Sequence, residues 1–220
     1  MKKRLSPVVV AAAISCFLAC AGDFVVTFIL GALYPGYNFM YQSESYLGTS
    51  DSPVATYMNM WGVVLFFLLL IFAYGLKKTI FAEGKWQTVV VWFIILYGVG
   101  EGAGSGLFPY DHVNNTLTLS GKLHSFFGGV GGVAITLVPF VCVKIFSKNV
   151  SPNMNAYCGY AFFIGMIVGI MFLISGDGII PYKGLWQRIF ILNYHLFLSM
   201  LAGVMVKSEL DKIVIAEKTI

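Results

Sequence analysis

The sequence predicts an all-α, polytopic membrane protein, a bundle of six transmembrane helices, and three observations predict it. Six apolar stretches, each long enough to cross a bilayer, fill most of the 220 residues. Only 11% of the residues are charged and 58% are hydrophobic, whereas an ordinary soluble domain is about 25% charged. The charge that is present lies almost entirely between the stretches. A helix rising about 1.5 Å per residue needs about 20 apolar residues to cross a hydrocarbon core of about 30 Å. Backbone polar groups in lipid must be satisfied within their own segment, so each stretch is expected to be a helix.

The first stretch covers residues 7–33. Lys2 to Arg4 followed by Phe17-Leu18-Ala19-Cys20 resembles a secretory leader with a poor lipoprotein box. Apolar residues resume from Phe24 to Leu33, too far for a leader core, and the stretch reads as an uncleaved helix. The second and third stretches are 54–76 and 86–107. The third has Gly98, Gly102 and Gly106 four apart, with Gly100 and Gly104 on the neighbouring face. The fourth, 121–146, carries Gly128, Gly129, Gly131 and Gly132, and the fifth, 155–175, carries Gly165 and Gly169. Small residues let helices approach in lipid, so these glycines read first as bundle seams, with a glycine-lined passage as the other reading. They are no phosphate loop, having no preceding strand and no Lys-Ser/Thr after them. The sixth stretch is 184–206, and the tail from Lys207 to Ile220 is expected to form a short interfacial helix. The whole chain, 1–220, reads as one membrane domain.

Basic residues set the orientation. Eleven of the 14 lie before stretch one, between two and three, around the connection from four to five, or after six. Lys122, Lys183 and Arg188 alone lie on the other side. The retention of basic loops inside predicts a cell-membrane protein with both termini cytoplasmic and with 34–53, 108–120 and 176–183 facing outward. The dispersed basic residues offer no nucleic-acid surface. Cys16, Cys20, Cys142 and Cys158 have no zinc spacing and read as packing residues.

Ionisable side chains in a span are costly and usually face a wet interior. Here these and other polar residues gather toward the outer side: Asp23, Asn59, Glu101, His124, Arg188 and, near mid-depth, His195. The outer loops add Glu44, Asp51, Asp111, His112 and Asp177. Helical spacing aligns Cys16, Cys20, Asp23 and Thr27; Tyr97, Glu101 and Ser105; and Arg188, His195 and Ser199. Arg188 is expected to be buried about one turn below the outer end, with a carboxylate partner among Asp23, Glu44, Glu101 and Asp111. A structural ion pair, a satisfied core histidine at His195 and an interfacial His124 are the plainer readings of the single residues. The convergence of several carboxylates, histidines and an arginine from different helices points further, to a site with candidates Glu44, Asn59, Glu101, Asp111, His124, Arg188 and His195. Asp111, His124 and His195 also offer donor atoms for zinc, without a supporting spacing. Ser43, Ser105 and Ser199 are the serine candidates, without a nucleophile-elbow motif. Asn114-Asn115-Thr116 is a glycosylation sequon.

Several loop and span-end pieces resemble the bacterial and archaeal membrane family called domain of unknown function 998. They are Ser43-Glu44 with Leu47-Gly48, Ser52-Pro53-x-Ala55 with Asn59 and Gly62, Gly106-Leu107-Phe108-Pro109-x-Asp111, Gly121-x-Leu123-His124 and Gly184-Leu185-x-Gln187-Arg188-Ile189. The resemblance covers nearly the whole chain and implies a six-helix integral membrane protein with its signature polar residues near one membrane face. It implies no activity, and Glu101 and His195 lie outside the matching pieces.

The leading functional expectation is a binder of a lipid-like or small anionic ligand in an outward pocket, with Arg188 on the anionic head group. The alternative is an intramembrane, zinc-dependent lipid hydrolase with His124, His195 and Asp111 as ligands and Glu101 or Glu44 as base. A small proton-coupled transporter is third. Membrane lipid is the expected partner.

Overall fold

The computed structural model describes residues 4–114, 116–176 and 178–218, with side chains as far as Ile215. Asp177 and the central Asn115 of the sequon lie outside the described residues.

Among the described residues, six helices are long and apolar enough to cross a membrane. They are α1 (Pro7–Leu33), α2 (Ala55–Lys78), α3 (Lys85–Leu107), α4 (Leu119–Ile145), α5 (Pro152–Gly176) and α6 (Lys183–Lys218). The fold is the all-α six-helix membrane bundle that hydropathy predicts. Proline at the start of α1 sacrifices no helical hydrogen bond, because the first N–H groups have no partner within the helix. Thr118 caps α4 by accepting the Gly121 amide at 3.1 Å. A short 3₁₀ turn, Glu44–Gly48, lies in the first connection. A two-residue hairpin, β1 (His112–Val113) with β2 (Thr116–Leu117), lies between α3 and α4. Six crossings return the chain to its starting side, which puts the two termini at one end of the bundle and the 34–54 and 108–118 connections at the loop end.

The C-terminal tail departs from expectation. It is no separate interfacial helix, because α6 runs without a break to Lys218. Nothing between Val206 and Ile215 stops it, neither proline nor glycine.

Small residues of α1 make its packing face. Ala12, Cys16 and Ala19 share a buried cluster with Phe72, Ala73 and Leu76 of α2 and with Phe197, Leu201 and Met205 of α6. All four cysteines are buried and free, consistent with a packing role. A second cluster, Leu30, Tyr37, Leu47 and Val54, seats the first connection on the end of α1.

Helix α3 runs between α2 and α4, with glycines on both sides. Gly102 lies against the Gly62 carbonyl and Gly106 against that of Asn59, while Gly100 lies against Phe127 and Gly131. From Gly98 to Gly104 this helix is wound as a π-helix. Such wide turns often accompany functional sites, and this one carries Glu101.

Candidate functional site

A cavity of about 740 Å³ occupies the loop-end half of the bundle. Every helix and the 3₁₀ turn contribute to its wall. Its polar lining includes Asp23, Glu44, Ser45, Asn59, Glu101 and His124, and the remainder is mostly apolar. Of the seven residues the sequence nominates, Glu44, Asn59, Glu101 and His124 face this space; Asp111, Arg188 and His195 do not line it.

Arg188 is buried, but its hydrogen bonds go to the backbone. Its Nη1 donates to the carbonyls of Phe39 at 2.7 Å, Gly184 at 2.9 Å and Gln42 at 3.3 Å, and Nη2 donates to the Tyr37 hydroxyl at 2.8 Å. The guanidinium also lies over the Phe39 ring, 5.3 Å from its centre. Glu44 is the carboxylate partner, its Oε1 3.6 Å from Nε, too long for a hydrogen bond. The preceding residue of the same motif, Gln187, accepts the Glu44 amide at 2.7 Å. Residues 187 and 188 therefore fold the first connection down and carry Glu44 to the cavity wall. The expected anionic head group has no guanidinium to meet, because Arg188 is engaged with the loop.

Burial raises the Glu44 carboxyl to about 8 and the neighbouring Asp23 pushes the same way, while Arg188 and the Thr27 hydroxyl pull it down. Desolvation outweighs the ion pair here because the two groups meet at 3.6 Å without a hydrogen bond. Burial also raises Tyr37, to about 12, against the pull of Arg188, so that it remains a neutral acceptor.

His124 ties three segments together. Its Nδ1 faces two carbonyls, Phe108 at 2.8 Å and Ser105 at 3.2 Å, and must carry the proton. In the neutral ring Nε2 is then an acceptor, and the Ser45 hydroxyl stands 3.1 Å from it. Asn59 donates to the Gly48 carbonyl at 3.2 Å. Asp111 joins the two loop-end connections instead, accepting the Ser50 amide at 2.8 Å and the Ser50 hydroxyl at 2.6 Å.

Deeper in, Asp23 accepts the Trp61 indole N–H at 2.8 Å. His195 is buried behind it, with Nδ1 3.2 Å from the Cys20 carbonyl and Nε2 3.1 Å from the Tyr97 hydroxyl. Nε2 also lies 3.8 Å from Asp23. Glu101 makes no hydrogen bond or ion pair among the described residues, and its carboxyl lies beside Gly128 of α4.

The proposed zinc ligands do not converge. Asp111 is held by Ser50, His124 by the 105–108 carbonyls and His195 by Cys20 and Tyr97. No group of three or more His, Cys, Asp or Glu side chains among the described residues is placed to hold one ion. Each residue has the right donor type, but their sequence separation does not reveal which segment each one serves.

The fourth- and fifth-helix glycines also divide. Gly131 packs against Glu101, but among the described residues Gly129 has nothing within 4 Å of where a Cβ would sit, and Gly132 meets only the Phe190 ring at 4.0 Å. Gly128, Gly129, Gly132, Gly165 and Gly169 line the cavity; Gly165 and Gly169 also pack closely against Tyr194 and Phe190 of α6, as a bundle seam requires, whereas Gly128, Gly129 and Gly132 are more open. Residues that sequence reasoning did not nominate are Ser45, Trp61, Tyr37 and Gln187. Ser45 adjoins the Ser43-Glu44 piece, which is the only sequence signal for it; tryptophan and tyrosine in apolar surroundings give none.

A family model described as "Protein of unknown function (DUF998)" matches residues 17–204. Comparisons with curated proteins and with solved structures give no match.

Proposed function

The chain belongs to the DUF998 family, which is described as of unknown function, and from that premise we propose that it binds a lipid-like amphiphile in a pocket open to the outer face of the cell membrane. The observation that carries this reading is the composition of one cavity along its depth. Polar groups from α1, α2, α3, α4 and the 3₁₀ turn meet at one part of it. Its other part runs between α4 and α5, where Val133, Ile170 and Leu173 both line the cavity and remain 62%, 50% and 68% exposed on a helix surface that faces lipid. The two helices are tied elsewhere: Asn155 Nδ2 donates to the Phe146 carbonyl at 2.7 Å, and Phe140 and Phe162 lie 5.1 Å apart. Nearer the loop end the glycines leave a gap. A volume of about 740 Å³ is within the range of small-molecule pockets, about 300–1,000 Å³. A head group at the polar end with an alkyl chain leaving between α4 and α5 uses both parts.

The head group that fits carries hydrogen-bond donors, an amine or hydroxyls, because Glu44 and Glu101 present acceptors. Mass spectrometry of protein extracted with its lipids tests the reading. Wild type should retain a stoichiometric amphiphile, and Glu101→Gln, which preserves shape and replaces the carboxyl with an amide, should retain much less at equal folded amounts. Equal retention would leave the carboxyl without a role in binding; no retained or exchangeable amphiphile in wild type would end the reading.

The basic asymmetry supports the orientation, with both termini cytoplasmic. In a variant lacking the four native cysteines, Asp51→Cys should react with an impermeant maleimide on intact cells, and Glu83→Cys only after permeabilisation. The opposite pattern would put the cavity on the inner face.

A further inference from the structure

We propose that Ser45 and His124 form a nucleophile–base pair, and that the cavity performs acyl transfer from an ester of a membrane lipid. The inference rests on the lipid-pocket reading above and adds a reaction to it. A serine hydroxyl is a weak nucleophile until a base accepts its proton and a third group fixes the base. All three parts are present. The Ser45 hydroxyl is 3.1 Å from His124 Nε2. His124 Nδ1 faces the Phe108 and Ser105 carbonyls at 2.8 and 3.2 Å, which fixes the tautomer that leaves Nε2 free to accept. Both residues line the cavity. The pair joins the 3₁₀ turn to α4, 79 residues apart in sequence, so it is a product of the fold and not of local chain geometry. The three serines that sequence reasoning nominates do not match it: Ser105, for example, donates to the Gly100 carbonyl at 3.1 Å.

The chemistry balances without an added oxidant, metal or cofactor. Ser45 Oγ attacks the ester carbonyl carbon as its proton passes to Nε2. The tetrahedral adduct collapses with cleavage of the bond to the alcohol oxygen, and the leaving alcohol takes that proton from the imidazolium. The acyl-serine is then resolved by water or by the hydroxyl of a second lipid, whose proton again passes to Nε2. An apolar cavity open to lipid suits the acyl chain, and the loop-end opening admits the acceptor.

A long-chain alkyl fluorophosphonate tests the pair on detergent-purified full-length protein. Ser45 Oγ attacks phosphorus, fluoride leaves, and a stable adduct of known mass remains. The expected result is one adduct mapped to Ser45, absent from Ser45→Ala, formed faster with a long-chain than with a short-chain reagent, and strongly slowed in His124→Gln that melts within the folded range. Wild type that retains its lipid but forms no adduct at Ser45 would overturn the proposal while leaving the pocket intact. So would a Ser45→Ala variant that only melts lower, since that marks the pair as a loop staple. Labelling of Ser45 in a protein that retains no amphiphile would instead support the pair and remove the lipid-pocket reading.

Discussion

Replacing Arg188 with alanine is expected to lower the free energy of unfolding by about 3–5 kcal/mol, because several buried acceptors lose one shared donor group. The residue is 7% exposed. Its loss leaves the carbonyls of Phe39, Gln42 and Gly184 and the Tyr37 hydroxyl without the donor that the fold supplies. An unmatched buried polar group costs about 1–3 kcal/mol, and neighbouring losses do not simply add. Arg188→Lys should fall between the two, because one ammonium cannot replace a fork whose nitrogens point at separate acceptors. Thermal melts in detergent measure the loss, and faster proteolysis within residues 34–54 should accompany it, since that connection is what the guanidinium holds. An Arg188→Ala protein that melts like wild type, with an equally protected connection, would overturn this account.

The ion pair adds a pH dependence. The folded-state value of Glu44 is raised, to about 8. In the fold the carboxyl therefore keeps its proton at pH values where the unfolded chain has released it. Its contribution to stability is present at low pH and is lost as pH rises through about 8. Removing Arg188 takes away a group that holds this value down, so adding Glu44→Gln to Arg188→Ala should restore part of the loss only at pH values above 8, where an ionised Glu44 would stand without a counter-charge, and little below.

The architecture is legible in the sequence because lipid permits so few alternatives: a long apolar run must satisfy its own backbone, and that makes it helical. The same pressure makes Asp23, Glu101 and His195 conspicuous as buried polar residues. Their partners are less legible. The acceptors of Arg188 are main-chain carbonyls, which every residue has, so no pattern of side chains announces them. A carboxylate partner was expected and Glu44 is there, yet most of the hydrogen bonding is elsewhere. Asp111 shares the acidic character of Glu44 but ties two loops together through Ser50. Trp61 reads as apolar bulk, although its indole N–H serves Asp23, and the stripe that groups Tyr97 with Glu101 and Ser105 does not reveal that the Tyr97 hydroxyl meets His195. The π-helical winding around Glu101 is invisible to a hydropathy pattern.

Glycine is where the sequence is most ambiguous, and one substitution made at two positions should separate its two roles. Gly102→Leu is expected to prevent stable folding, whereas Gly129→Leu is expected to fold and to lose bound amphiphile. A Cβ at position 102 would lie 2.9 Å from the Gly62 carbonyl oxygen and 2.9 Å from the Phe66 amide nitrogen. These are backbone atoms of α2, which cannot turn aside as a side chain can, so α2 and α3 would have to separate. Overpacking of a close-packed interior costs about 1–3 kcal/mol even when side chains can adjust, and more is expected where they cannot. Position 129 lines the cavity, and among the described residues a Cβ there has nothing within 4 Å, so the added isobutyl group is expected to take up cavity space beside α4. Its volume comes from space that the ligand's chain is proposed to fill, so retention should fall while the melting temperature of the lipid-free protein stays near that of wild type. Size-exclusion profiles and melts read the first half of the contrast, and mass spectrometry of retained lipid reads the second. A well-folded Gly102→Leu protein would contradict the close approach of α2 and α3. Undiminished lipid in Gly129→Leu would show that the chain does not leave the cavity between α4 and α5.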